Sequence, residues 1–583
     1  MIKMIINRVQ RTISIGGWML IIIGSITWSL TMVKSGLIYT FGMGFWGPNG
    51  HDGVWHIALA NSLSKGSWEV PIFAGEQIEN YHIGFDLLLS WLHKFTFIPV
   101  HNLYFQIVPP ILAFFTGIFC YRFVRVWRKS KIQAFWATFF VYFGGSLGWI
   151  VTYFRSGRID GESLFWSQQS ISTLVNPPFA LSLVLIFVGL YYLTKGLRQR
   201  NRKFLTIATF IFGILVQIKV YSGILTLFGL FAAGLLQIVK RKGISLIKVA
   251  TGALIISILI FSPVTRDVDS TVVFKPFWFL ETMMAVSDRV AWPRFYEAMI
   301  NYKFGNIWIK GFIAYSTAFG IFVLGNFGAR LISLKWFYSH IKNIKGVGFV
   351  DTILTTIITL GILFPLFFVQ SGTPWNTIQF MYYSLIFSGV VAGVVFGEWM
   401  ERKIKKDGTS IYHPRLLIPL VSMIIITLPT TFGTLSNHYL PLRPPAKIPL
   451  EELEALNFLN NQPSGVVLAY PYDEISAQIA ETNPPRPLYL YESTAYVSAF
   501  SNQTVYLEDE VNLNITGYNW PERRKSVLEF YNSLDHELVW NYLRENNITY
   551  IYWVSGQRAK LGEDQLGIER IFENDLVSIF KVN

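Results

Sequence analysis

The chain is organised around a polar stretch that follows its first apolar run. Residues Phe45–Lys94 read FWGPNGHDGVWHIALANSLSKGSWEVPIFAGEQIENYHIGFDLLLSWLHK. A helix over Val54–Leu63 would place Asp52 at its N-terminus and His56 about one turn further on. The acid and the imidazole would then share a face, with His51 next to Asp52. The stretch therefore predicts that a carboxylate and two imidazoles lie close together where this helix begins.

A second polar cluster follows in the same stretch, at Glu76, Glu79, Tyr81 and His82. An Asp at a helix start is more often a structural cap than a base. The grouping of acids and imidazoles against so apolar a background favours chemistry. We interpret Asp52, His51 and His56 as candidate catalytic residues, and Glu76 and His82 as candidate substrate contacts. Capping remains the alternative for Asp52.

Composition sets the class of protein. The 583 residues are 52% hydrophobic and 15% charged, and the mean hydropathy is +0.39. Such a chain is too apolar for a soluble protein and too long for a single membrane span. The one cysteine, Cys120, lies in an apolar run, which argues against a disulfide framework or a cysteine-based metal site. The sequence predicts an α-helical polytopic membrane protein.

The net charge of +13 is unevenly distributed. From Asn437 to the end the chain has 11 basic and 20 acidic residues, which leaves 38 basic and 16 acidic residues before it. Much of the basic excess falls in short clusters between apolar runs. This pattern is typical of positive-inside membrane topology and argues against binding to nucleic acid.

A window of about 20 residues predicts about eleven transmembrane helices. They are expected near Ile13–Val33, Leu103–Val124, Ile132–Tyr153, Pro178–Leu193, Phe204–Lys219, Val220–Val239, Leu246–Pro263, Gly311–Leu331, Phe349–Val369, Ile378–Gly397 and Leu416–Phe432. Basic clusters alternate with these runs so that all fall on one side, which predicts a cytoplasmic N-terminus. Loops 35–100, 154–176, 265–309 and 370–377 and the C-terminal segment are then expected on the outer face.

Two places strain this scheme. Ile83–Phe97 is apolar but interrupted by Asp86, His93 and Lys94, so we interpret it as an interfacial or re-entrant helix in the first loop. The topology also requires a boundary between two spans at Lys219 and Val220, where two short helices must meet at the outer surface. These interpretations keep every basic cluster on the cytoplasmic side.

From about Asn437 onward the composition is typical of a soluble protein. This change predicts two parts: a transmembrane module, 1–436, and an extracytoplasmic α/β domain, 437–583. A linker at Pro441–Pro449 precedes the domain. Periodicity predicts helices at Leu450–Asn460, Pro521–Ser533 and Asp535–Glu545, and strands at Gly465–Tyr470, Ile548–Val554 and Val577–Val582. The acids of this domain are interpreted as solvated surface, whereas Tyr489–Tyr496 or Tyr518–Trp520 could stack on a sugar or cap an active site.

An acid pair on another outer loop suggests a metal. Asp160 and Glu162, in RIDGESLFW, supply two oxygen ligands of the kind that Mg²⁺ or Mn²⁺ prefers. Such an ion could neutralise a departing phosphate. The alternative is a turn acid paired with Arg155 or Arg158.

Cations and amides near the outer face are candidates for binding a lipid phosphate or a sugar. The topology places Lys219, Tyr221, Arg266 and Arg289 there, followed by Trp375, Asn376 and Gln379. A lysine between apolar runs is costly unless it snorkels or meets an anion. Snorkelling of Lys219 and interfacial anchoring by Trp375 remain the alternatives.

A first transmembrane helix followed by a long outer loop with an essential Asp resembles the multi-spanning glycosyltransferases of the GT-C fold. Supporting stretches are NPPFALSL (Asn176–Leu183), FKPFWFLETM (Phe274–Met283), QSGTPWNTIQFMYY (Gln370–Tyr383) and IFENDLVSIFKV (Ile571–Val582). The chain is similar to bacterial and archaeal members, and distantly to protein mannosyltransferases and oligosaccharyltransferases. The latter carry an Asp-x-Glu after the third span, where Asp160 and Glu162 lie.

The resemblance implies transfer of a sugar from a polyprenyl-phosphate donor to a glycan, lipid or protein acceptor at the outer face of the plasma (inner) membrane. Asp52 would be the general base, and the anomeric configuration would invert. A polyprenyl-linked glycan or lipid transporter (flippase) is the alternative. Transport favours internal repeats and ionisable residues within spans, and the sequence shows no repeat and few such residues.

Overall fold

The computed structural model describes residues 13–261, 272–405, 408, 410 and 413–583. Its chain forms two compact units. The helical unit contains the described residues up to Thr31, those from Pro109 to Phe261 and those from Val272 to Leu440. The mixed unit contains Met32–Val108 and Pro441–Asn583. The first predicted outer loop and the C-terminal segment therefore belong to one compact body.

Apolar helices build most of the helical unit, because a helix satisfies its backbone hydrogen bonds within the segment. They are Ile15–Ser29, Val108–Arg128, Lys131–Phe143, Gly148–Ser156, Pro177–Gln199, Arg202–Ile218, Val220–Val239, Ser245–Phe261, Trp308–Phe327, Phe349–Phe367, Gln379–Lys405 and Pro414–Thr434. Shorter helices are Trp278–Ala285, Pro293–Phe304 and Leu334–Lys342, and strands Val272–Phe274 and Phe368–Gln370 pair antiparallel.

Each predicted span falls on a helix or a bent helix pair, but the count of about eleven crossings is not confirmed. Within the described residues, seven helices are long and apolar enough to cross a membrane, or eight if the bent pair is one span. Ile15–Ser29 has 15 residues and Ser245–Phe261 has 17. At about 1.5 Å per residue, both are shorter than a hydrocarbon core of about 30 Å.

The bent pair, Lys131–Phe143 and Gly148–Ser156, turns by 42° at its break. A Cβ atom on Gly145 would lie 2.6 Å from the hydroxyl oxygen of Thr430, so a neighbouring helix occupies the space at the bend. The buried guanidinium of Arg330 donates to the carbonyl oxygen of Gly145 at 3.2 Å. The break therefore frees a carbonyl group that a buried cation satisfies.

The predicted helix boundary at Lys219 is confirmed. One helix ends at Ile218 and the next begins at Val220, and Lys219 between them is extended. Its carbonyl oxygen accepts a hydrogen bond from the hydroxyl of Ser222 at 2.7 Å. Lys219 therefore occupies the N-cap position of the following helix without making a side-chain capping bond.

The mixed unit contains two sheets. A five-stranded sheet has the order Ile568–Glu573, Val577–Val582, Ile548–Val554, Val466–Ala469 and Thr504–Val505. A four-stranded sheet joins the first loop to the C-terminal segment, in the order Leu37–Tyr39, Gly42–Phe45, Ala446–Ile448 and Arg486–Pro487. The α/β character of the C-terminal segment, with its predicted strands, is confirmed.

The mixed unit also contains helices. They are Asp52–Ser64, Gly84–Thr96, Leu450–Asn460, Glu474–Glu481, Tyr496–Ser501, Glu510–Thr516, Trp520–Asn532, His536–Glu545 and Glu563–Leu566. The predicted helix at Ile83–Phe97 is amphipathic: Asp86 is fully buried, whereas Trp91 is 64% and Phe95 73% exposed. Such a face is typical of an interfacial helix, and that placement stays a prediction.

Candidate functional site

Asp52 is the first residue of the helix Asp52–Ser64, as the sequence predicts. His51 occupies the N-cap position, and its side chain makes no capping bond. The Asp52 carboxylate is exposed and has no hydrogen bond or ion pair to any residue that the structure describes. The structure therefore does not use this carboxylate as a hydrogen-bonding cap, and it is available to a ligand.

Gly53 lets the start of this helix approach two aromatic rings. A Cβ atom there would lie 3.1 Å from ring carbons of Tyr104 and Phe105. That distance is shorter than ordinary van der Waals contact, so a side chain would push the Asp52 end of the helix outwards. Gly53 thus allows the backbone next to Asp52 to pack closely against these two aromatic rings.

His51 connects Asp52 to the C-terminal segment. Its Nδ1 shares a hydrogen bond with the hydroxyl of Ser493, and its ring meets the Tyr491 ring edge-on at 4.9 Å. Burial lowers the pKa of His51, and the charge of Asp52 opposes that shift. A neutral imidazole beside Asp52 follows from this environment.

His56 turns inwards and pairs with Asp86. The Nδ1 atom of His56 lies 2.7 Å from Oδ1 of Asp86, and the ring stacks on Tyr104 with centroids 5.8 Å apart. Asp86 was not predicted as a site residue, although it stood out as a carboxylate within an apolar segment. The two candidate imidazoles therefore have different environments: His51 is half-buried against the C-terminal segment, and His56 lies in the core.

The residues of the second predicted cluster lie in different environments. Glu76 lies on an exposed turn, where its charge acts on Arg523. His82 is buried and packs against Tyr81 at 4.6 Å. Burial raises the pKa of Tyr81 well above its usual value, and the charges of Asp86 and Asp52 add to the shift. Tyr81, rather than Glu76, is the member of this cluster that is coupled to Asp52.

The charge of Asp52 acts on an acid of the C-terminal segment, Asp509, which sequence reasoning missed. Asp509 is buried and accepts hydrogen bonds from Asn512, one of them from the side-chain amide at 2.7 Å. The pKa of Asp509 is raised to about 7, mainly by burial, and the charges of Asp52 and Glu492 contribute to this shift. The run Glu508-Asp509-Glu510 was the available signal, but nothing in its spacing relates it to residue 52.

The predicted metal pair lies in the helical unit, and both of its carboxylates are already bonded. Asp160 lies 3.0 Å from Nε2 of His438, and Glu162 accepts from the backbone N–H of Gln169 at 2.7 Å and the hydroxyl of Ser172 at 2.8 Å. The predicted alternative, a turn acid, gains support, with His438 rather than Arg155 or Arg158 as the direct partner.

The pKa values of Asp160 and Glu162 are shifted in opposite directions. Burial alone would raise the pKa of Asp160, but the bond and charge of His438 outweigh it, and the pKa lies below its usual value. Burial raises the pKa of Glu162. Among the described residues, no group of three or more His, Cys, Asp or Glu side chains is placed to hold a metal ion. The bonded pair alone does not fit a Mg²⁺ or Mn²⁺ site, which needs several further oxygen ligands.

The predicted donor-binding residues lie in two places of the helical unit. Lys219 is buried, with Nζ 5.8 Å from the Tyr221 ring centroid, and the Tyr221 hydroxyl lies 3.5 Å from Gln370. A buried Lys219 argues against simple snorkelling. Arg289 pairs with Asp288 at 3.0 Å and stacks on Trp166. Arg266 lies outside the described residues.

The polar loop after Gln370 forms a short 3₁₀ turn, Pro374–Ile378. Trp375 is 47% exposed there, whereas Asn376 accepts a bond from the Gln379 amide at 3.4 Å. These contacts hold both amides in place beside the exposed indole. They are compatible with a ligand site and with membrane anchoring alike.

No protein-family model and no curated protein sequence matches the chain. Solved structures do. The chain is similar to the oligosaccharyltransferase of Archaeoglobus fulgidus tethered with an acceptor peptide containing the NVT sequon: the TM-score is 0.52 at 12% identity, over 92% of this chain and 69% of that chain. The chain has a GT-C fold.

Two further structures of that archaeal enzyme also match. One is the complex with zinc and sulfate, with a TM-score of 0.49 at 15% identity over 92% of this chain and 68% of that chain. The other is in complex with an inhibitory peptide and a dolichol-phosphate, with a TM-score of 0.48 at 12% identity over 92% and 69%. The fold assignment rests on the first match. The predicted GT-C architecture is confirmed at the level of the fold.

Proposed function

We propose that this protein is a membrane glycosyltransferase of the GT-C type. The long apolar helices support the membrane setting, and the fold shared with an oligosaccharyltransferase supports glycosyl transfer at this coarse level. The observation that carries the proposal is the free carboxylate of Asp52. A general base must reach the proton that it removes, and an exposed, unbonded carboxylate meets that requirement.

In the proposed reaction, Asp52 takes a proton from a hydroxyl or amine of the acceptor. The acceptor oxygen or nitrogen then forms a bond to the anomeric carbon of the donor sugar. The bond from that carbon to the phosphate oxygen breaks, and the polyprenyl phosphate leaves with the electron pair. Attack opposite the leaving group inverts the anomeric configuration.

The proposed roles of the remaining residues follow from their environments. His51 and Tyr81 shape the surroundings of Asp52, and the buried Asp86 fixes His56 beneath it. Lys219, Tyr221 and Arg289 would bind the donor phosphate. Trp375, Asn376 and Gln379 would contact its sugar. Asp160 and Glu162 would need partners other than those they have here to hold a divalent cation, so no step is assigned to a metal.

We place the reaction at the outer face of the plasma membrane, with the N-terminus cytoplasmic. The acceptor peptide of the archaeal neighbour makes a protein one candidate acceptor, beside a glycan or a lipid. The test is a transfer assay with the purified chain in nanodiscs, a panel of polyprenyl-phosphate sugars and membrane extracts as acceptors. Transfer with stoichiometric release of polyprenyl phosphate is expected. Movement of lipid-linked sugar between leaflets without transfer would instead support a flippase.

A further inference from the structure

The strongest unexplained feature of the mixed unit is an open cleft in the C-terminal segment, whose empty volume of about 470 Å³ includes space open to solvent. Four half-buried tyrosines line it: Tyr470, Tyr472, Tyr489 and Tyr491. Among its lining residues, all of which the structure describes, four are acids and none is Lys, Arg or His. The lining of the cleft therefore combines aromatic rings with carboxyl groups and contains no basic side chain.

Three of the four acids already have partners. Glu508 accepts from the backbone N–H groups of Val497 and Ser498, at 2.8 and 3.1 Å. Asp509 is bonded to Asn512, and Glu510 is paired with Arg524. Glu492 differs, because its exposed carboxylate has no hydrogen bond or ion pair within the described part of the chain.

A second polar group in the cleft lacks a partner. Thr494 is 4% exposed and lines the cleft, yet its hydroxyl oxygen has no hydrogen bond among the described residues. A buried hydroxyl that has no hydrogen bond destabilises the folded chain. A ligand that enters the cleft would satisfy Thr494 and reach Glu492 two residues away.

The tyrosine rings indicate what kind of ligand this is. Tyr491 already contacts a cation, since the Arg486 guanidinium lies 3.6 Å from the centroid of the Tyr491 ring. Aromatic faces attract cations through their quadrupole, and cages of aromatic rings recognise organic ammonium groups. A carboxylate at the rim adds a charge-assisted hydrogen bond.

We propose that the cleft binds an organic ammonium group, with Glu492 as its carboxylate partner, Thr494 as a hydrogen-bonding group and the tyrosines as its aromatic wall. The cleft is connected with the neighbour of the candidate base by one contact, in which Tyr491 packs on His51, and the charge of Asp52 contributes to the raised pKa of Asp509. If the proposed function holds, the ligand is the acceptor and carries an amine. This last step alone rests on the proposed function.

The binding test uses the full chain in detergent and isothermal titration with glucosamine, N-acetylglucosamine and choline. Glucosamine is expected to bind about tenfold or more tightly than its N-acetyl derivative, because acetylation removes the charge. Glu492→Gln should weaken glucosamine about tenfold, whereas Glu545→Gln, an exposed acid away from the cleft, should not. Choline binding as tightly as glucosamine would show that the ammonium group is recognised without the sugar ring.

Equal affinity for glucosamine and N-acetylglucosamine, or no effect of Glu492→Gln, would overturn the proposal. Because this titration needs no donor, its outcome is independent of catalysis. Asp52→Asn should retain glucosamine binding. Binding without any transfer activity would sustain the ammonium site and count against the proposed glycosyltransferase.

Discussion

His56 and Asp86 form a buried pair, with Nδ1 of His56 2.7 Å from Oδ1 of Asp86 and both side chains almost fully enclosed. The pair joins the helix that begins with Asp52 to the amphipathic helix Gly84–Thr96. A hydrogen bond to Nδ1 fixes the orientation of an imidazole ring. The position of the Asp52 helix therefore depends on a residue in the neighbouring helix.

Asp86→Ala should destabilise the protein. The substitution leaves the buried His56 without its acceptor, and breaking a buried pair costs about 3 kcal/mol. Thermal unfolding of the purified chain measures the effect, with the exposed Asp575→Asn as a control. The combined variant His56→Phe/Asp86→Leu should lose less than the sum of its single variants. Additive losses would mean that the two residues do not interact.

Stability should fall as the pH rises towards neutrality. Burial raises the pKa of Glu452 to about 7. Between its usual value and 7 the folded state holds a proton that the unfolded state has lost, so the free energy of unfolding decreases with rising pH, by about 3 kcal/mol at most. This contribution is fully present below the unfolded pKa and absent above 7.

Glu452→Gln should flatten this dependence, because an amide does not titrate. The Glu452 carboxyl accepts from the Tyr552 hydroxyl at 3.3 Å, a bond that the amide oxygen can keep. The unfolding temperature between pH 5 and 8 should therefore fall less in the variant than in the wild type or in Glu545→Gln. Parallel curves for all three proteins would contradict the assignment.

Glu162→Gln tests the predicted metal pair. If Asp160 and Glu162 bind a divalent cation during turnover, the variant should transfer more slowly and need a higher metal concentration, because carboxylates hold Mg²⁺ through charge. Glu297→Gln, an exposed acid of the same unit, is the matched control. Full wild-type activity in excess chelator would leave the two acids with the structural bonds described above.

The orientation of the chain can be tested separately. A reporter fused after Asn583 should behave as an exported protein, since the predicted topology places the C-terminal segment outside. Reporter activity in the cytoplasm would contradict the predicted topology. It would also place Asp52 on the side where nucleotide-linked sugars are found.

The sequence predicted local structure well, because hydropathy and periodicity are local properties. The helix starting at Asp52, the break at Lys219 and the strand Ile548–Val554 all lie where the pattern indicates. The number of crossings could not be read in the same way. The bend between Phe143 and Gly148 depends on tertiary contacts of its glycines, which no window of hydropathy contains.

The candidate site was predicted only in part. Asp52 was found because it belongs to a short polar motif. Its electrostatic neighbour Asp509 and the His51 partner Ser493 come from more than 400 residues further along the chain. These pairings depend on the sheet in which the strand Gly42–Phe45 pairs with Ala446–Ile448. Residue spacing in the sequence does not predict that strand pairing.

Transfer by Asp52→Asn tests the central proposal most directly. The amide keeps the shape of the carboxylate but cannot accept the proton, so the rate from a polyprenyl-phosphate sugar should fall by about 10²–10⁴. Thermal stability and donor binding should stay close to wild type, as they should in the control Asp575→Asn. Variants of His51 and His56 show whether an imidazole is the base instead. Transfer at the wild-type rate by purified Asp52→Asn would contradict its role as the general base.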